Sequence, residues 1–400
     1  MSAGEAYWKR NLAVCVFGSF TTIVAMTLLL PFLPLYVRQL GAGGHAAVVQ
    51  WSGVAYGATF LTAALTAPLW GRLGDRYGRK VNLIRASLGM AAAMSLSGMA
   101  QNVWELVLLR LLVGLLGGYT SGSMVLLAAQ TPKARTGWAL GVLSAGIMAG
   151  NLAGPLIGGV LPPLIGIRAT FWLAGAVIFV TFLGTAVLIR EDKRPPKAPG
   201  AKARGAWSQV PDKRPVVAML VTGTLLMVAT MSIEPIITVY VAQFVPGPKV
   251  TFVAGLVMSA AALGSAVSAS QLGRLADRIG HWTVVTACLG VAALLLVPQA
   301  FVTAGWQLIA LRLLMGLALG GLLPCMTAVI RHHAPEAVTG TLLGYAISAQ
   351  YAGQVVGPLA GGFVGGHYGM RAVFLGTSVL MLAGAIGNFM VSRRRDARSG

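Results

Sequence analysis

Charge is what this sequence has least of. Only ten of its 400 side chains are acidic, and charged residues of both signs make up 10% of the chain. A soluble chain carries roughly a quarter, so a water-exposed globular architecture is excluded. Cysteine is almost as scarce. Cys15, Cys288 and Cys325 stand far apart with no metal-ligand spacing, so neither a metal centre nor a disulfide is expected of them. They read as apolar filler. No nucleotide-binding loop, metal site or nucleophile–base set appears, so neither an enzyme nor a cofactor is expected.

What remains is apolar. Hydrophobic residues make up 56% of the chain, and stretches such as 12–37 and 342–366 carry no charge at all. Both exceed the ~20 residues a helix needs to cross hydrocarbon. The 52 glycines suit membrane helices that pack closely. The expected fold class is an all-α membrane protein of twelve spans, at 11–38, 47–70, 81–101, 104–128, 136–162, 168–189, 215–243, 250–272, 282–302, 305–328, 338–365 and 370–391. Lys9 and Arg10 precede an apolar run as in a signal peptide. That run continues for about 27 residues without a small-residue cleavage pattern, so a retained first helix is expected.

The formal charge of +20 invites a nucleic-acid reading, but its distribution argues against one. With the N-terminus placed inside, the inner segments hold 24 of the 30 Lys and Arg. The outer loops hold Arg38, Arg168, Lys249 and Arg371, while Arg110 and Arg312 lie within spans. That asymmetry places both termini in the cytoplasm of a cell with an inner membrane. Anionic lipid headgroups account for the basic excess, and no nucleic-acid partner is expected.

The chain repeats itself. Residues 190–214, rich in proline and basic side chains, read as a cytoplasmic linker. It separates an N-terminal six-helix half (1–189) from a C-terminal one (215–400). Gly71-Arg-Leu-Gly-Asp-Arg-Tyr-Gly-Arg-Lys80 returns as Gly273-Arg-Leu-Ala-Asp-Arg-Ile-Gly280, 202 positions later. Trp104-Glu-Leu-Val-Leu-Leu-Arg110 returns as Trp306-Gln-Leu-Ile-Ala-Leu-Arg312 at the same offset. Gly154-Pro-Leu-Ile-Gly-Gly159 and Gly166-Ile-Arg-Ala-Thr-Phe171 return as Gly357-Pro-Leu-Ala-Gly-Gly362 and Gly369-Met-Arg-Ala-Val-Phe374, at 203. Six spans return the chain to its starting side, so the halves share orientation, and a substrate cavity is expected between them.

These motifs, with Trp8-Lys-Arg-Asn-Leu12, Pro31-Phe-Leu-Pro-Leu-Tyr-Val37 and Gly137-Trp-Ala-Leu-Gly141, resemble the twelve-span drug:proton antiporters of the major facilitator superfamily. The resemblance covers nearly the whole chain and implies alternating access. It implies that Asp75 and Arg79 help latch the halves on the cytoplasmic side, with Asp277 the repeat of Asp75. From the residues themselves, Gly71 and Gly78 are expected to let the chain turn, and Asp75 to cap a helix or pair with a cation.

On span five, Gly146, Gly150, Gly154 and Gly158 recur every four residues, a bare stripe that admits another backbone, with Pro155 bending the helix. The pattern resembles the family's antiporter motif. Gly357 and Pro358 belong to its second copy, and both stripes are read as gating hinges. Arg110 is a buried cation that must face protein or water. Gly114, Gly117 and Ser121 share its face as a narrow polar groove, and resemblance links it to proton coupling. Val113 stands where the family often has glutamine.

Glu234 is the one acidic residue deep in a span, beside Pro235. Counted from the outer ends of their spans, Arg110, Arg312 and Glu234 share a depth. Burial disfavours the charge on Glu234 and a guanidinium favours it, so the state of the cavity would switch its proton. It is the expected proton-titrating carboxylate or anchor for cationic substrates, coupled to Arg110; a static ion pair with either arginine is the alternative. The span-one carboxylate frequent in the drug antiporters is absent. Tyr36, Tyr56, Phe60, Tyr119, Met124, Asn151, Tyr240, Tyr345, Gln350, Tyr351 and Gln354 are expected to line a mixed aromatic and amide cavity.

The reading is a proton-coupled exporter of small amphipathic or drug-like molecules, monomeric in the bilayer. A dedicated metabolite or sugar exporter and a non-transporting sensor or scaffold are the alternatives.

Overall fold

A computed structural model describes residues 3–191 and 207–399. The linker expected over 190–214 therefore lies, over 192–206, outside the described residues. Among the described residues the chain is helical and contains no strand. Span one is α1 (Ala3–Thr27) and α2 (Leu33–Gln39), and spans two and three are α3 (His45–Tyr77) and α4 (Arg79–Ser97). Span four is α5 (Val103–Leu116) with α6 (Tyr119–Gln130), followed by α7 (Thr136–Ile165) and α8 (Ile167–Leu188). Span seven is α9 (Lys213–Ile233), a 3-10 turn (Glu234–Ile236) and α10 (Ile237–Val241). Then come α11 (Lys249–Ile279), α12 (His281–Gln299), α13 (Gly305–Leu319) with α14 (Leu322–His333), α15 (Glu336–His367) and α16 (Met370–Ser399).

Nine of the twelve expected spans are long and apolar enough, among the described residues, to cross a membrane. The remaining three run along α3, α4 and α15. The first two carry the two ends of the charged island 71–80.

Breaks recur where backbone hydrogen bonds are interrupted. Span one turns over residues 28–32, and span seven turns at Glu234–Ile236, where Pro235 supplies no N–H. Span four breaks at Gly118, whose φ of 102° is a left-handed backbone that glycine tolerates.

Backbone contacts group the chain into two compact units. The first is Met1–Gly43, Ala58–Ala198 and Pro248–Ser259; the second is Gly44–Gly57, Pro199–Gly247 and Ala260–Gly400. Within the first, the glycine stripe of α7 receives α1. A Cβ at Gly150 would lie 3.0 Å from Ile23, and one at Gly158 would meet the backbone of Leu28. The other side of α7 packs on the start of α11, where Thr251 and Ser259 donate hydrogen bonds to the carbonyls of Gly159 and Leu152.

The second unit repeats this plan with exchanged parts. Gly353, Gly357 and Gly361 of α15 receive α9 at Thr224, Val228 and Ser232, while Pro358 and Gly362 face Gly53 and Gln50 of α3. Bare backbone against bare backbone is how helices associate where no hydrophobic effect drives them together.

Candidate functional site

Each unit buries one arginine in an aromatic cluster, and the two clusters are built alike. In the first unit Arg110 of α5 is 2% exposed. Its Nη2 donates to Ser97 Oγ at 2.8 Å and Met94 Sδ at 3.2 Å, both on α4. Its guanidinium lies 5.7 Å from the centre of the Phe171 ring on α8. Tyr36 of α2 packs on the same ring at 5.2 Å and donates its hydroxyl to the Ser97 carbonyl at 2.6 Å.

In the second unit Arg312 of α13 is 4% exposed and lies 5.8 Å from the Phe374 ring on α16. Tyr240 of α10 packs on Phe374 at 4.9 Å and donates to the Gln299 carbonyl at 2.7 Å. Tyr36, Ser97, Arg110 and Phe171 thus have counterparts in Tyr240, Gln299, Arg312 and Phe374. Buried charge is tolerated in both because a ring face and inward-turned polar atoms replace water.

The copies differ in one respect. Gln299 turns its amide nitrogen to the Leu295 carbonyl at 3.0 Å and Met315 Sδ at 3.5 Å. Arg312 is left with Nε and Nη2 buried and without a hydrogen-bond partner, as is the Gln299 Oε1. A guanidinium N–H buried without an acceptor is costly. Glu234, partly buried on the turn that breaks span seven, acts electrostatically on Arg312. Thus the carboxylate falls beside the arginine whose donors are open. The turn holds it there because the Glu234 N–H still reaches the Thr230 carbonyl, while Pro235 ends the α-helical ladder.

The charged island departs from expectation in two places. Gly78, with φ 102°, turns the chain between α3 and α4, but Gly71 lies inside α3 with open space around it. Asp75 does not cap α4 either. It sits exposed in the last turns of α3, and the cap is Glu191, whose Oε1 and Oε2 accept from the N–H groups of Arg79 (2.9 Å) and Lys80 (2.7 Å). A carboxylate at a helix N-terminus satisfies orphan donors and the helix dipole together. Asp277 itself pairs with His281, four residues on, at 3.6 Å.

The residues expected to line a cavity divide by burial. Tyr36, Tyr56, Tyr119 and Tyr240 are buried. Tyr119 shares a hydrogen bond with Thr185 at 2.7 Å, and its ring fills the space that Gly18 leaves open. Phe60, Gln350, Tyr351 and Gln354 are partly buried, while Met124, Asn151 and Tyr345 are exposed. Gln350 and Gln354 face α9, with Gln354 reaching Met227 Sδ at 3.7 Å. The groove expected beside Arg110 is filled at Gly114 by the backbone of Thr59 and by Thr62, which donates to the Leu111 carbonyl at 2.7 Å.

Sequence reasoning passed over Glu191 and Arg85. Arg85 stacks 3.6 Å from the Trp70 ring and donates to the carbonyls of Leu116 (2.8 Å) and Gly117 (3.1 Å), closing the open end of α5 at the break in span four. Phe171 and Phe374, by contrast, closed two of the matched repeat segments, which is the signal that would have found them.

Twelve expected spans, a duplicated half and a buried arginine in each copy define a class of membrane transporter. The model of the Major Facilitator Superfamily matches residues 15–249 and 250–400. The chain belongs to that superfamily and is a multi-pass membrane transporter of small molecules. It is 42% identical over 392 residues to the multidrug resistance protein MdtG of Enterobacter lignolyticus (strain SCF1), covering 98% of this chain and 94% of that one. It is 42% identical over 394 residues to MdtG of Klebsiella pneumoniae (strain 342), covering 98% and 96%.

Solved structures share the fold at low identity. A bacterial homolog of the human lysosomal transporter Spinster, inward-facing and unoccupied, matches with a TM-score of 0.79 at 14% identity over 97% of each chain. The nucleoside transporter NupG matches with a TM-score of 0.74 at 13% identity, over 94% of this chain and 98% of that one.

Proposed function

We propose that this chain is a proton-coupled antiporter of the inner membrane, both termini cytoplasmic, exporting small amphipathic or drug-like molecules by alternating access. The name of its 42%-identical relatives supports the cargo class, and the basic bias of the inner segments supports the orientation. The observation that carries the coupling is Glu234 beside Arg312, in the cluster whose donors are open.

Ionised Glu234 acts on Arg312 through its charge, and a small approach would make it an acceptor for the unpartnered N–H groups of that guanidinium. Its protonation removes that charge, and a cationic substrate competes with the proton and with Arg312 for the same carboxylate. Substrate arriving from the cytoplasm would displace the proton inward, and reprotonation from outside would release the substrate. Arg110, in the more fully satisfied cluster, holds α4, α5 and α8 together as a rigid counterpart. The glycine stripes of α7 and α15 are the surfaces that slide, and the island 71–80 with Asp277 is the latch, changing partners as the transporter alternates.

The test is a substrate panel on purified protein in proteoliposomes with internal pH recorded. Addition of a lipophilic cation should release protons from wild type and not from Glu234→Gln. A Glu234→Gln protein with unchanged pH dependence would sink the coupling role. Flux of a single metabolite with no response to drugs would replace the cargo assignment.

A further inference from the structure

One basic cluster shares no residue with the site described above. At the end of the first unit where α1 begins and α8 ends, Asn11 ties the elements together. Its Nδ2 donates to Gln130 Oε1 at 2.7 Å and to the Arg190 carbonyl at 2.8 Å, and its Oδ1 accepts from the Arg190 N–H at 3.2 Å. Arg190 is thereby fixed beside Tyr7, donating to its hydroxyl at 3.0 Å, with the guanidinium 4.8 Å from the ring centre. Arg10 lies 5.1 Å from the same ring, so two guanidinium groups share one aromatic face set. Lys9 stands 5.8 Å from the Trp8 ring, and Trp8 in turn meets Trp138 edge-on at 6.3 Å.

Among the described side chains three cations are gathered here, and none of them has a carboxylate within 4 Å. Glu191, adjacent in sequence, is committed to the N-terminus of α4. Arg10 Nε and Nη2 are buried and have no hydrogen-bond partner. Two guanidinium groups on one ring, that of Arg10 with unsatisfied donors, call for a multidentate anion, and phosphate oxygens match the guanidinium fork.

The surroundings say where such an anion comes from. Trp138 is 59% exposed close to the basic segment 133–135, the placement of an interfacial aromatic. Leu183 and Val187, seven and three residues before Arg190 on α8, are 47% and 74% exposed and form an i, i+4 apolar track leading away from it. A soluble phosphate has no use for that track, whereas an acyl chain does.

We propose that Arg10, Arg190 and Lys9 form a headgroup site for an anionic phospholipid, with its phosphate between the guanidinium groups of Arg10 and Arg190 and its acyl chain along Leu183 and Val187. The site clamps the start of span one to the end of span six by a ligand taken from the bilayer.

The experiment is native mass spectrometry of the full chain released from nanodiscs of phosphatidylcholine with or without phosphatidylglycerol. Wild type should retain one phosphatidylglycerol under activation that strips phosphatidylcholine. Arg10→Gln and Lys9→Gln should each lower its occupancy about fivefold, the worth of one basic residue at a membrane surface. Arg10→Lys should fall between, since it keeps the charge and loses the fork.

Thermal unfolding in pure phosphatidylcholine separates a lost site from a lost fold. The variants should match wild type there, and only wild type should gain stability from phosphatidylglycerol. If Arg10→Gln does not fold, the exposed Lys9→Gln carries the test alone. Equal retention of the two lipids, or phosphatidylglycerol retention unaffected by Lys9→Gln, overturns the site. Displacement of the lipid by inorganic phosphate or glycerol phosphate assigns it to a soluble phosphate compound and overturns the lipid.

Discussion

A single methyl group should have opposite effects at two places on α7. A Cβ at Gly158 would lie 2.9 Å from the Leu28 Cα and closer still to its carbonyl carbon and oxygen. Those are backbone atoms at the break in span one, so no side-chain rotation relieves the clash and α1 must move. Overpacking of this kind costs about 1–3 kcal/mol, and rigid backbone puts it at the upper end. A Cβ at Gly141, on the same helix, meets nothing within 4 Å. Alanine there removes the conformational freedom of glycine and gains roughly 0.5–1 kcal/mol.

At roughly 2–4 °C per kcal/mol for a unit of this size, Gly158→Ala should lower the midpoint of thermal unfolding by about 4–12 °C. Gly141→Ala should raise it by about 1–4 °C. The assay is unfolding of the purified protein in mild detergent, followed by intrinsic fluorescence. The repeat supplies an internal replicate: Gly361 would meet the Ser232 backbone with its Cα at 2.6 Å, while Gly344 on the same helix is open. Shifts of the same sign at Gly158 and Gly141, or a neutral Gly158→Ala, would refute the close-packing account of the glycine stripe.

The break in span four should depend on Arg85. Arg85→Lys should loosen residues 117–122 to hydrogen exchange nearly as much as Arg85→Ala, because an ammonium neither stacks flat on Trp70 nor reaches two carbonyls at once. Glu191→Ala should cost about 1.5–3 kcal/mol, since two backbone donors of α4 lose a charged acceptor. The loss should appear as earlier thermal unfolding, with Glu191→Gln intermediate. An unchanged midpoint would show that solvent caps α4 equally well.

The fold was legible because periodic apolar runs and a repeat survive in the letters themselves. Four ordered matches at nearly constant spacing carry the repeat, and the glycine stripes announced helix faces that take a partner's backbone. Which backbone they take was not legible, since α7 meets both α1 and the start of α11, and nothing local in Gly154 or Gly159 distinguishes those partners. The same limit explains Asp75. A carboxylate in a turn motif reads as a cap, yet the donors of α4 are served by Glu191, 112 positions from Arg79. Tyr36 and Tyr240 read as cavity aromatics, whereas both are buried with their hydroxyls on backbone carbonyls. Burial of an aromatic in a span is set by neighbouring helices, and composition carries no record of those.

The two arginine clusters differ at the place where the proposed coupling needs them to differ. Ser97 gives Arg110 a hydroxyl acceptor at 2.8 Å. In the repeat the same position is Gln299, whose amide nitrogen is taken up elsewhere, and Arg312 keeps two open donors beside Glu234. At the position repeating Glu234, the first half has apolar residues around Leu30. The acid therefore occurs in the copy whose arginine has the more open donors.

If that pairing performs coupling, Gln299→Ser should impair it without touching either charge. A serine hydroxyl at 299 would accept from Arg312 as Ser97 does from Arg110, giving the guanidinium a partner that does not depend on the Glu234 proton. A charged hydrogen bond of this kind is worth about 1.5–3 kcal/mol, which lowers the advantage of the ionised carboxylate by a comparable amount and would weaken proton–substrate exchange roughly tenfold or more. Proton release per added substrate in proteoliposomes reads this directly. Coupling undiminished in Gln299→Ser, in a protein that still binds substrate, would mean that the open donors of Arg312 are incidental and that Glu234 works with some other partner.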